Sequence, residues 1–157
     1  MRVGGRYSQQ QWQLRLLFAL LLIACAQLVA RDLSVAELKG RLANARIAER
    51  PALCLEISER ELDEANQFYT AGDDAKAAAA LGDVAAYSEL ARDYAIQAHK
   101  HEKQSEIAVR KMARRLADLK HSVTHDEQKG VQETIDRLEH VRDDLLAAMF
   151  PDGGKKR

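Results

Sequence analysis

The chain of 157 residues is poor in the residues that most chemistry needs. It has two cysteines, two prolines, one tryptophan and no formal net charge. Two thiols, Cys25 and Cys54, cannot build a four-cysteine zinc site, and no CxxC pair is present for a structural metal or haem attachment. There is no Gly-rich phosphate loop, no Gly-x-Ser-x-Gly elbow and no His-Glu-x-x-His. The serines are scattered, with no base in sequence reach, so the sequence reads as non-catalytic and as lacking a cofactor. The scarcity of proline has a structural meaning. Pro51 and Pro151 are its two occurrences, and both sit where a helix would start or stop. Ala, Leu, Glu, Lys and Arg dominate the rest, which is a helix-forming composition.

The absence of net charge conceals an uneven distribution. Residues 1–24 carry Arg2, Arg6 and Arg15 and no acid. Without them 21 basic residues face 24 acidic ones, which argues against generic nucleic-acid binding. The polar, basic stretch from Met1 to Arg15 runs into an apolar segment from Leu16 to Ala30. That order is the n-region and h-region of a secretory signal peptide. At about 15 residues the segment is short for a permanent span, which needs roughly 20. Residues 1–24 are therefore expected to be a signal peptide, with cleavage as late as residue 30. An exported chain, periplasmic or lipid-anchored to an envelope membrane, is the expectation.

Two ways of processing remain open. Ala24-Cys25-Ala26 offers small residues to a signal peptidase. Leu22-Ile23-Ala24-Cys25 resembles the lipobox of bacterial lipoproteins, and that resemblance implies cleavage after Ala24 and lipidation of Cys25. Cys54, between Leu53 and Leu55, reads as a small buried hydrophobe on a helix.

Residues 31–150 read as one all-α domain of about four helices, followed by a disordered tail over 151–157. Ser34-Val-Ala-Glu37 has the form of a capping box, and the helix it opens is expected to run to about Glu49, where Pro51 intervenes. Leu55, Leu62, Ala65 and Tyr69 mark a second helix, which Gly72 should end in a left-handed cap. Asp73 or Asp74 then caps a third.

The third helix is expected to be the long central element. From Ala77, steps of four and three reach Leu81, Val84, Ser88, Ala91, Ala95, Ala98, Glu102, Ser105, Val109, Met112, Leu116, Leu119 and Val123. The polar stretch from His99 to Ser105 is where a bend or a change of partner is expected. Thr124-His-Asp-Glu127 has the form of a second capping box. It opens a last helix with Val131, Ile135, Leu138, Val141, Leu145 and Met149 on its apolar face. Short connections imply antiparallel helices, one packed on each half of the long helix. Over 99–121 seven basic residues face three acids, and over 126–144 seven acids face three bases. An acidic last helix folded on a basic partner is the expected arrangement.

Several residues invite a sharper function. Tyr69-Thr-Ala-Gly72 with Ala77 and Leu81, within residues 57–85, resembles the helix-turn-helix of a tetratricopeptide repeat. Glu61 and Glu64 depart from that pattern, no copy follows 34 residues later, and a generic α-hairpin fits as well. His121 and His125 are four apart and form a candidate metal pair on one helical face, which keeps a periplasmic metal- or small-ligand-binding bundle as the alternative function. Solvated surface histidines are the competing reading. The basic stripe could attract anionic lipid or another acidic surface. Tyr87, Leu90 and Tyr94 form a second stripe beside the main seam. They are candidates for self-association or for docking a protein partner, unless the first helix covers them. The favoured function is an envelope structural or interaction protein, without nucleic acid, touching a membrane only through a possible N-terminal lipid anchor.

Overall fold

A computed structural model describes residues 33–151. The proposed signal, cleavage and lipidation positions, including Cys25, and residues 152–157 of the tail lie outside the described residues. Five helices are present and no strand is found among the described residues: α1 Val35–Asn44, α2 Arg50–Ala71, α3 Asp74–Ala98, α4 Glu102–Lys120 and α5 His125–Met149.

The expected caps are present. The Ser34 hydroxyl accepts from the Glu37 amide at 3.3 Å, while the Glu37 carboxylate accepts from the Ser34 amide at 2.9 Å. Glu127 accepts from the Thr124 amide at 2.7 Å. Asp73 caps α3 by accepting from the Lys76 amide at 3.3 Å. α2 closes with Gly72 left-handed, at φ 74°.

Two expectations need correction. α1 stops at Asn44 rather than near Glu49, because Ala45 turns extended at ψ 148° and its amide reaches only to Leu42. The stripe has nothing large to bury beyond Leu42, so extending the helix would gain little packing.

The larger correction concerns the long central helix. It is divided by His99-Lys100-His101 into α3 and α4. Both histidines have positive φ, 49° and 71°. The Lys100 amide donates to the Ala95 carbonyl at 3.1 Å and the His99 amide to the Ile96 carbonyl at 3.2 Å, a Schellman closure of α3. The polar stretch supplies no apolar side chain to hold a continuous helix, and reversing the chain there lets both halves of the seam share one core. α3 then lies along α5 and α2 against α4, so two hairpins, α2–α3 and α4–α5, pack side by side.

The seam survives this reversal almost intact. Ala77, Leu81, Val84, Ser88, Ala91 and Ala95 of α3 are buried, as are Ser105, Val109, Met112, Leu116 and Leu119 of α4. Val131, Ile135, Leu138, Val141 and Leu145 of α5 complete a single cluster with Leu62 and Ala65 of α2. Ion pairs tie the hairpins together at the rim. Arg92 reaches Asp144 at 2.8 Å, Arg137 reaches Glu89 at 2.8 Å, and Arg115 pairs with Asp63.

Candidate interaction surfaces

α1 is short, with one fully buried side chain, Leu38, but its Lys39 carries much of the local structure. The Lys39 Nζ donates to Glu61 Oε1 at 3.0 Å and to Asp83 Oδ2 at 2.8 Å, joining α1 to both helices of the first hairpin. It also stands 5.1 Å from the centre of the Tyr87 ring. Glu61 is 6% exposed. Burial holds its carboxyl above the usual range, against the opposing pull of Lys39. For Lys39, burial acts to lower the ammonium pKa, but the bonds to Asp83 and Glu61 outweigh it and the group titrates above its ordinary range. A buried carboxylate needs such a partner, because an isolated charge in the core is strongly disfavoured.

Arg50 does for Tyr94 what Lys39 does for Tyr87. Its guanidinium lies 5.1 Å from the Tyr94 ring centre, donates to the Tyr94 hydroxyl at 3.4 Å and to the Ala45 carbonyl at 3.1 Å. Both rings are half-buried, and they pack against the core cluster. Of the stripe Tyr87, Leu90 and Tyr94, Leu90 alone is exposed, at 38%.

Beneath this surface sits a small polar contact between α2 and α3. The Ser58 and Ser88 hydroxyls are 3.2 Å apart, and both donate to the Val84 carbonyl, at 3.2 Å and 2.8 Å. Their donors are fully used inside the bundle, so neither is a poised nucleophile. Cys54 is buried on α2, and burial pushes its thiol up to about 11, which leaves little thiolate.

The two histidines do not share a helix. α4 ends at Lys120, His121 follows with its amide on the Asp118 carbonyl at 3.2 Å, and His125 opens α5. Helical spacing therefore does not bring them to one face, since the capping turn of Thr124 falls between them. Glu127, the adjacent carboxylate, is engaged by Thr124. Among the described residues no three His, Cys, Asp or Glu side chains gather as a ligand set.

The expected pairing of a basic α4 with an acidic α5 takes another form. The ion pair that joins them runs in the opposite sense, from Arg142 of α5 to the buried Glu106 of α4 at 3.0 Å. Arg110 also pairs with Glu106, at 3.2 Å, within α4. Arg115 turns to Asp63 on α2, and Lys120 meets the uncharged Gln132 at 2.6 Å. Lys103, Lys111 and Arg114 have no hydrogen-bonding or ionic partner among the described residues. Segment totals of charge suggested complementarity, but rotation about the helix axis points these cations outward.

Clefts along the helix seams are open grooves. One of about 360 Å3 is lined by Leu62, Asn66, Arg115, Asp118, Leu119 and Ser122. Another, of about 390 Å3, lies where the α2–α3 and α4–α5 turns meet, beside Tyr69, Asp74 and Glu127. There the Glu127 carboxylate raises the Asp74 pKa, while the Thr124 hydroxyl lowers that of Glu127. No family model, curated protein or solved structure matches this chain.

Proposed function

We propose that the protein is an exported, non-catalytic helical adaptor of the bacterial envelope. The observation that carries this reading is the abrupt change of character along the chain. A basic stretch and an apolar segment end at Ala30, and a capped helical domain starts at Ser34. No helix among the described residues is long and apolar enough to cross a membrane, so a membrane link through the described part would be peripheral. The open grooves and the internally satisfied hydroxyls of Ser58 and Ser88 suit a domain that offers surfaces to other molecules. Leu90, exposed on α3 between the half-buried Tyr87 and Tyr94 in sequence, is the proposed contact point on the first hairpin for a protein partner or a second copy. Cleavage is proposed within residues 24–30, either beside lipidated Cys25 or as simple processing.

Fractionation with mass spectrometry of the isolated chain tests this. Envelope recovery of a chain lacking Trp12, hence without tryptophan emission, supports export. An unprocessed chain in the cytoplasmic fraction overturns it. Cys25→Ser discriminates the two kinds of processing, since release of the protein in soluble form is expected if Cys25 carries lipid.

A further inference from the structure

We infer that the outward face of α4 docks on an anionic phospholipid surface. At about 100° per residue, Lys103, Ile107, Lys111 and Arg114 fall within roughly 40° of one direction, opposite Ser105, Met112 and Leu116 in the core. Lys100, which precedes the helix, and Arg110 flank this row. Three of its cations have no partner within the described residues, and nothing in the bundle explains why they should share one side. At the centre of the row stands Ile107, 45% exposed, where a solvated helix face would carry a polar residue. The sole acid of α4 on that face, Asp118, lies at its far end.

A helix with a cationic stripe around an exposed apolar side chain has the form of an interfacial membrane element. The cations meet lipid phosphates, and the apolar residue enters the boundary between headgroups and acyl chains. The remaining surface of the domain is on balance acidic, which would hold that surface away from an anionic leaflet and turn this face toward it. The inference rests on the envelope reading only for where such a leaflet is met. It adds a second membrane contact to any N-terminal anchor.

Vesicle binding by the full-length chain tests the surface independently of cellular location. Vesicles of pure phosphatidylcholine and of phosphatidylcholine with phosphatidylglycerol are compared, and because Arg2, Arg6 and Arg15 before the apolar N-terminal segment also favour the anionic vesicles, every α4 variant is read against the parent carrying the same termini. The quantity read is the preference for the anionic vesicles. Each cation at an anionic surface contributes roughly fivefold in partitioning. Lys103→Gln, Lys111→Gln and Arg114→Gln together should therefore reduce the preference about 100-fold. Salt of about 1 M, where screening shortens to about 3 Å, should abolish it. Ile107→Ser should weaken binding while leaving its salt dependence unchanged. A matched variant elsewhere, with Arg41, Arg46 and Lys129 each changed to Gln, should keep most of the preference. An equal loss in that variant would show a general charge effect and overturn the inference. So would absence of any anionic preference in the parent, or binding to soluble heparin as tight as to vesicles with the same loss in the α4 variant. Failure of export with intact vesicle preference would remove the envelope reading and leave the surface standing.

Discussion

The two hairpins are built alike and finished differently. Each buries a stripe of apolar residues against the other, and each is joined internally by a short capped turn. The outer side of α2–α3 is then covered by α1, whose Lys39 meets a buried acid and a tyrosine. Among the described residues nothing covers the outer side of α4 in this way, and its Lys103, Lys111 and Arg114 have no partner there. The contrast shows where a small bundle spends its polar residues. Charges that enter the first hairpin are matched across helices, whereas Lys103, Lys111 and Arg114 of α4 face outward and, unlike Arg115 and Glu106 on the same helix, join no other helix among the described residues.

Removing the cover should have the largest effect. Tyr87→Ala with Tyr94→Ala deletes two half-buried rings together with their contacts to Lys39 and Arg50. A loss of about 3 kcal/mol is expected, less than two fully buried aromatic truncations would cost. Denaturant melts of the isolated chain check this. Native-like melting with weakened self-association would instead make the tyrosines interface anchors.

Next comes Lys39→Ala, which leaves Glu61 in the core without its cation. Breaking a fully buried pair costs about 3–5 kcal/mol. The Lys39 side chain is 36% exposed, so solvent screening reduces the expectation to about 2 kcal/mol. The pair is better joined than separated, so Lys39→Ala with Glu61→Gln should recover part of the loss. If the double variant is no better than the single one, Glu61 is not held by Lys39.

The turns sharpen the comparison at a smaller scale. Both the α2–α3 turn and the α3–α4 turn close with the same pair of Schellman hydrogen bonds, but one uses Gly72 and the other His99. A side chain at positive φ is strained, and a Cβ at Gly72 would meet nothing within 4 Å, so the cost there is conformational. Gly72→Ala should destabilise by about 1 kcal/mol, and His99→Gly should stabilise by roughly 0.5 kcal/mol or more. Thermal melts of the two variants should move in opposite directions. A loss on His99→Gly would mean that the histidine side chain supports the reversal.

The reversal also shows why part of the fold was legible in the sequence and part was not. Periodicity identifies which side of a helix is apolar, and the seam residues from Ala77 to Leu119 are buried as their spacing implies, except Ala98 and Glu102 at the reversal. Periodicity carries no information on direction. The step from Ala98 through Glu102 to Ser105 keeps its phase whether the helix continues or turns back. The turn was visible only as a polar gap, since neither His99 nor His101 is a residue that announces a left-handed conformation. Charge was read less well, because counts over a segment do not say which way each side chain points. Thus Arg115 belongs to α2 and Arg142 to Glu106, against the expected direction of pairing. Glu61, which interrupts the repeat-like pattern, gave no hint in sequence that Lys39 would meet it.

The smallest effect is expected at His121 and His125. Both are exposed, and they flank the α4–α5 turn without sharing a helix. The bond His121 makes there is through its backbone amide, which any residue except proline can supply. The capping carboxylate beside His125 is Glu127, and its bonds go to Thr124 rather than to imidazole. His121→Gln with His125→Gln should therefore change stability by less than about 0.5 kcal/mol, the range of ordinary surface positions. A zinc titration followed by calorimetry discriminates this from a ligand role. The parent and the double variant should give the same heats. Stoichiometric uptake by the parent and none by the variant would require the turn to rearrange so that both rings meet one ion, and would restore the metal-binding alternative.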